Sequence, residues 1–227
     1  MRMLFRGFMI LSIFSLLGGG NTRASRDPSA SRTEFVDLQK EVRKDSMDGN
    51  SKYELATFGN GCFWCSEAIF LRLKGVKSAV PGYSGGHVDN PTYEEVCTGT
   101  TGHAESIHIT YNPAVTSYEE LLEVFWKTHD PTTLNRQGND VGTQYRSVIF
   151  YHNENQKELA KSYRAKLDAA GIWDRPIITE IVAFKKFWPA EEYHQDYYAR
   201  NPSNTYCRIV ITPKIKKFEK IFKDRLK

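Results

Sequence analysis

Tyr53 to Phe58 alternates loosely enough for a strand, Gly59 and Gly61 allow a tight turn, and Ser66 to Leu73 carries apolar residues at helical spacing. At that junction of strand, turn and helix stands Gly61-Cys62-Phe63-Trp64-Cys65-Ser66-Glu67. A cysteine at a helix N-terminus lies beside backbone N–H groups that no helical carbonyl accepts. Those donors and the helix dipole stabilise an anion, and lower a cysteine pKa from about 8.5 toward roughly 3.5–7.5. The expectation is a nucleophilic or redox cysteine at position 62 rather than a small apolar filler.

Strands and helices alternate from Tyr53 onward. The pattern predicts strands at Lys77 to Tyr83, Glu105 to Tyr111, Tyr145 to His152 and Ile177 to Ala183. Helices are expected at Ser66 to Leu73, Ser117 to Thr128 and Glu154 to Ala170, with Gly171 as the stop of the last. Ser117 and Glu120 have capping-box spacing, and Leu121, Leu122, Phe125 and Trp126 give that helix its buried face. No internal repeat is present. The alternation argues for an α+β sandwich with helices against one sheet. Two long connections, Tyr83 to Thr101 and His129 to Gln144, are rich in Gly, Asn, Pro and aromatics, the kind of loop that often carries function.

A chain of 227 residues suits one domain with appendages and can build a core without disulfide staples. Its formal charge of +4 includes Arg2, Arg6 and Arg23. Without residues 1–24, which hold no acid, the balance is +1, and no nucleic-acid field is implied. Arg2 and Arg6 followed by the apolar run Phe8 to Leu17 resemble an export signal, too short to span a bilayer, with cleavage expected after Ala24. Residues 25–52 read as a polar linker, and residues 53–227 as the folded domain. The expected location is therefore outside the cytoplasm, periplasmic or secreted, with no stable membrane span. In the basic tail from Lys214 to Lys227, Ile215, Phe218, Ile221, Phe222 and Leu226 recur at helical spacing and predict an amphipathic helix docked by its apolar face.

Several polar residues admit more than one role. Glu105 opens a strand whose other positions look apolar, so its side chain points either into a site or into water. Tyr93, Asp140 and Tyr145 lie in or beside the long loops, where half-buried tyrosines and a turn-capping aspartate are the ordinary roles. Cys62 and Cys65 make a CxxC at a helix start, the arrangement of dithiol oxidoreductases, while Cys97 and Cys207 stand apart. In an exported chain four cysteines also suit two structural disulfides and a non-catalytic binding module. A zinc site of Cys62, Cys65, His103 and His108 fits poorly, because a strand sends two residues five apart to opposite faces.

Six segments taken together resemble one family. Gly61-Cys62-Phe63-Trp64, Gly102-His103-Ala104-Glu105, His129-Asp130-Pro131-Thr132, Arg136-Gln137-Gly138-Asn139-Asp140, Gly142-Thr143-Gln144-Tyr145-Arg146-Ser147 and His194-Gln195-Asp196-Tyr197 are similar, in consistent order, to the A-type peptide methionine sulfoxide reductases. The resemblance runs from about Tyr53 to Pro213. It implies an α/β sandwich of ferredoxin-like type with a mixed sheet and a mobile C-terminal segment. It also implies reduction of the S epimer of methionine sulfoxide, free or in oxidised proteins, with no bound metal or organic cofactor.

By that resemblance Cys62 is the nucleophile and Glu105 the proton donor to the sulfoxide oxygen. Tyr93 and Tyr145 are the phenols that hydrogen-bond this oxygen, Phe63 and Trp64 receive the substrate methyl group, and Asp140 helps organise the pocket. Methionine leaves and Cys62 becomes a sulfenic acid. Cys207, after Asn201-Pro202-Ser203-Asn204, matches the resolving cysteine of many members. Cys65 stands where glycine is usual and is a second possible redox thiol. A thioredoxin or thioredoxin-like dithiol would reduce the disulfide, and a monomer is expected.

Overall fold

A computed structural model describes residues 52–227; the expected export signal (1–24) and all but the last residue of the expected linker (25–52) lie outside the described residues. In chain order the elements are β1 (Glu54–Asn60), α1 (Phe63–Phe70), β2 (Val76–Ser84), α2 (Tyr93–Cys97), β3 (Ala104–Tyr111) and α3 (Tyr118–Thr128). A short hairpin of β4 (Arg136–Gln137) and β5 (Asp140–Val141) precedes β6 (Ser147–Tyr151) and α4 (Glu154–Ala169). The chain continues through β7 (Glu180–Ala183), β8 (Phe187–Pro189), α5 (Tyr197–Arg200) and α6 (Thr212–Ile221).

Six strands form one sheet in the order β7-β6-β1-β3-β2-β8, in which β6 and β7 are parallel and the other neighbours antiparallel. Its centre, β6-β1-β3-β2, is connected as β1-α1-β2-β3-α3-β6, the split arrangement of a ferredoxin-like fold. The α+β class and the mixed sheet are as expected. β1 explains why both sheet faces are covered. Ala56 and Phe58 point to the helices, where Phe58 meets the rings of Phe70, Tyr118 and Phe125 at 5.2–6.0 Å. Thr57 points the other way and hydrogen-bonds His108 and His152 under the rings of Phe187 and Phe184.

Ser117 caps α3 as its spacing predicts: its hydroxyl accepts from the Glu120 N–H, and the Glu120 carboxylate accepts from the Ser117 N–H. Other boundaries differ from the sequence reading. α1 begins at Phe63 rather than Ser66, because Phe63 and Trp64 complete its first turn. Tyr145 lies in a 3-10 turn, Thr143–Tyr145, ahead of a shorter β6. Residues 177–179 precede β7 instead of belonging to it. The loop 83–101 contains α2, opened by a second capping box of Thr92 and Glu95, and the loop 129–144 contains the β4–β5 hairpin. The periodicity of β8, three residues long, is too short to read.

The C-terminal segment also departs from expectation. It is packed: Cys207–Ile211 is a π-helical turn running into α6, and Ile215, Phe218 and Phe222 are buried as the amphipathic pattern requires. The helix ends at Ile221 rather than Lys227, followed by a 3-10 turn, Lys223–Arg225. In the polar stretch 201–204, Asn204 Oδ1 accepts from the N–H groups of Tyr206 and Cys207.

Candidate active site

Gly61 has a φ of +89°, and a Cβ there would meet Gln137 Cγ at 2.6 Å, so the turn requires glycine. It delivers Cys62 to the N-cap of α1. The Trp64 N–H then points at the Cys62 sulfur, and the Phe63 N–H donates to Glu105 Oε2 at 3.0 Å. Glu105 sits opposite Tyr83 in the β2–β3 register. The inward orientation of Glu105 is the one observed, and its residue is 2% exposed.

Burial pushes the Glu105 carboxyl well above the usual carboxylate range, and the nearby Cys62 sulfur adds to the rise; the Phe63 N–H opposes it. Burial prevails, because desolvating a carboxylate costs several kcal/mol whereas a hydrogen bond to a charged group returns roughly 1.5–3 kcal/mol. Glu105 is a neutral acid with a proton to give.

Cys62 departs from expectation. Its thiol is pushed well above its ordinary range by burial and by Cys65, against the Trp64 N–H and the Tyr206 hydroxyl. The helix end is present as predicted, but a dipole contributes at most about 2 kcal/mol, roughly 1.5 pH units, while full burial moves a pKa by up to about 3–5 units. Cys65 is pulled down by the hydrogen bond with Cys62. Burial holds the Cys62 thiol in its protonated form, and ionising the nucleophile is a step the site must drive.

Around these two groups stand the other expected residues. Tyr93 and Tyr145 are half-buried, and their phenols are raised far out of the physiological range, first by burial and then by the proximity of Glu105. Phe63 is buried against Tyr83, Tyr93 and His194. Trp64 is half-buried and stacks on Tyr197 with centroids 3.7 Å apart and planes 6° apart. Asp140 accepts from the Tyr206 hydroxyl at 2.6 Å, a contact beyond its part in the hairpin. Cys62, Cys65 and Cys207 are buried in one cluster, while Cys97 is exposed. All four are free thiols, which leaves no support for a disulfide-stapled module. Among the described residues no group of three or more His, Cys, Asp or Glu side chains is gathered as a metal would require.

The structure adds residues that sequence reasoning did not single out. Glu191 accepts from the Tyr93 N–H at 2.8 Å and from the Tyr83 hydroxyl at 2.9 Å, fixing the start of α2. His194 Nδ1 accepts from the Trp64 indole N–H at 3.1 Å; burial lowers its pKa to about 4, so the ring is neutral and can accept. Glu67, raised by burial to about 8, accepts from the Asp196 N–H at 2.7 Å and holds that residue in a left-handed conformation (φ 53°), which places Tyr197 on Trp64. The sequence signal for His194 was membership in the His194-Gln195-Asp196-Tyr197 segment and for Glu67 its place in residues 61–67, while Glu191 carried none. In His194→Ala the indole loses its acceptor. Because an unsatisfied buried donor costs about 1–3 kcal/mol, KM for a peptide sulfoxide should rise about tenfold with a smaller change in kcat, read by steady-state kinetics.

Comparison with known proteins gives a concordant result. A family model described as peptide methionine sulfoxide reductase matches residues 54–226. The chain is 56% identical over 174 residues to the peptide methionine sulfoxide reductase MsrA of Saccharolobus solfataricus, covering 77% of this chain and 97% of that protein. It is 52% identical over 174 residues to the enzyme of the same name from Thermus thermophilus, covering 77% and 98%. Among solved structures, methionine sulfoxide reductase A of Corynebacterium diphtheriae has 37% identity and a TM-score of 0.61, covering 69% of this chain and 78% of that one. Mxr1 of Saccharomyces cerevisiae in reduced form has 35% identity and a TM-score of 0.63, covering 69% and 90%. With the match extending over the whole described domain, the chain belongs to the A-type peptide methionine sulfoxide reductases.

Proposed function

We propose that this protein reduces methionine-S-sulfoxide, free and in oxidised proteins, and that the redox cycle runs through Cys62, Cys207 and an external dithiol. One observation carries the reading: a buried neutral carboxyl, Glu105, is tied to the same helix N-terminus that presents Cys62. A sulfoxide sulfur is a poor electrophile until its oxygen gains a proton, and Glu105 supplies it while Tyr93 and Tyr145 orient the oxygen. The Cys62 sulfur attacks, the S–O bond of the substrate breaks as the oxygen passes to Cys62, and methionine departs. Cysteine is oxidised to sulfenic acid and the sulfoxide is reduced. The Cys62 proton returns to Glu105, so the step consumes no net acid.

A second thiol then displaces water from the sulfenic acid to leave a disulfide, which a thioredoxin-like dithiol reduces. Cys207 is buried in the cluster that holds Cys62, and its π-helical turn must open for the two sulfurs to bond. Cys65 is a second reading favoured by its hydrogen bond to Cys62. Export, supported by the pattern of residues 1–24, would make the donor a thioredoxin-like protein outside the cytoplasm.

Counting methionine in a stopped assay tests the cycle. The parent should consume the S epimer and leave the R epimer untouched. Cys207→Ser should release about one methionine per enzyme without reductant and lose thioredoxin-dependent turnover, since oxygen transfer needs no second thiol. Cys65→Ser should lose turnover only in part. Full turnover in Cys207→Ser, with a Cys62–Cys65 linkage found by peptide mapping, would make the CxxC pair the working unit.

A further inference from the structure

Tyr206 stands between two groups of the site. Its hydroxyl donates to Asp140 Oδ2 at 2.6 Å, and the same hydroxyl lies close enough to the Cys62 sulfur to act on its ionisation. Its ring meets Trp64 edge-on, with centroids 5.9 Å apart and planes at 76°. The backbone that aims it is specialised. Asn204 Oδ1 holds the Tyr206 N–H at 2.9 Å, and the helix widens into a π turn from Cys207 on, where the Thr212 hydroxyl donates to the Cys207 carbonyl at 2.9 Å. Such turns are rare and concentrate at functional sites.

We propose that Tyr206 is a positioning residue for the nucleophile, and that Asp140 acts on Cys62 through it. A phenol has one hydrogen. In the bond to Asp140 that hydrogen is committed to the carboxylate and is not available to the Cys62 sulfur at the same time. A thiolate at Cys62 needs the proton, because a hydrogen bond to the charged form stabilises it. Asp140 and Cys62 compete for one donor. Removing the carboxylate frees the phenol to serve the sulfur; removing the hydroxyl denies it to both.

The remaining groups that act on Cys62 are the Trp64 N–H and Cys65 from α1, Glu105 from β3, Tyr145 from the 3-10 turn and Cys207 beside Tyr206, with Lys214 of α6 acting on Cys65. They are common to every variant compared. The inference rests on Cys62 as the nucleophile, but its primary test does not use turnover.

The experiment is the pH dependence of iodoacetamide alkylation at Cys62 in the reduced full-length protein, located by fragment ions, with Cys62→Ser confirming the position. In Tyr206→Phe the titration should move up by about one unit, and in Asp140→Asn down by a similar amount. The double variant decides: it should titrate like Tyr206→Phe, because without the hydroxyl Asp140 has nothing to compete for. If Asp140→Asn lowers the titration equally with and without the hydroxyl, the carboxylate acts by charge alone and the proposal fails. It fails also if Tyr206→Phe titrates like the parent, or if both single variants move the same way. A merely structural role would lower the melting temperature without this opposition of sign. Methionine release in a single turnover keeps the two conclusions apart: a parent that releases none refutes the functional reading and leaves the alkylation result standing.

Discussion

Cys62→Ser should abolish reduction of S-sulfoxides. A serine hydroxyl at that N-cap is un-ionised at neutral pH and is a weak nucleophile toward sulfur, and Cys62 is the residue that the α1 N-cap presents beside the Trp64 N–H and the Glu105 carboxyl. Cys65 lies inside the first turn of α1 rather than at its N-cap. The measurement is methionine formed per enzyme from the pure S epimer. Retention of more than about a hundredth of parental activity, the scale of one ordinary acid–base contribution, would remove Cys62 from its role.

Glu105→Gln should slow the chemical step by roughly 10²–10⁴ while leaving binding nearly unchanged. The amide keeps the shape, can accept from the Phe63 N–H and can donate a hydrogen bond, but it has no proton to transfer. Rapid-quench measurement of methionine release in a single turnover isolates that step. The pH dependence follows from the direction of the shift. A carboxyl raised well above its ordinary value keeps its proton at pH values where a free carboxylate has lost it, and the Glu105 contribution disappears as pH rises through that raised value. In Glu105→Gln this alkaline limb should be missing. Methionine release as fast in the variant as in the parent would make Glu105 only structural.

These expectations draw unequally on sequence and structure. The strand–glycine–cysteine–helix junction was legible because each part is a local preference: alternation in β1, a positive φ that only glycine tolerates well at 61, and apolar spacing in α1. The α3 cap was legible for the same reason. The cap of α2 carried an identical signal in Thr92 and Glu95, and it was hidden only by the loop-like composition around it. The family resemblance supplied the roles expected of Cys62, Glu105, Tyr93, Tyr145, Phe63, Trp64, Asp140 and Cys207.

By itself, then, the sequence determined where the main strands and helices lie and which side chains are chemically able to do the work. Only the tertiary structure decided their protonation and their partners. Cys62 sits at a helix end that favours a thiolate, yet the sheet, α1 and the C-terminal helix exclude water from it, and desolvation outweighs the dipole. Trp64 owes its orientation to His194 and Tyr197, and Asp140 meets Tyr206, across separations of 130, 133 and 66 residues. Hydrogen bonds and burial of that kind depend on distances through space, and a local pattern in the chain holds no record of them.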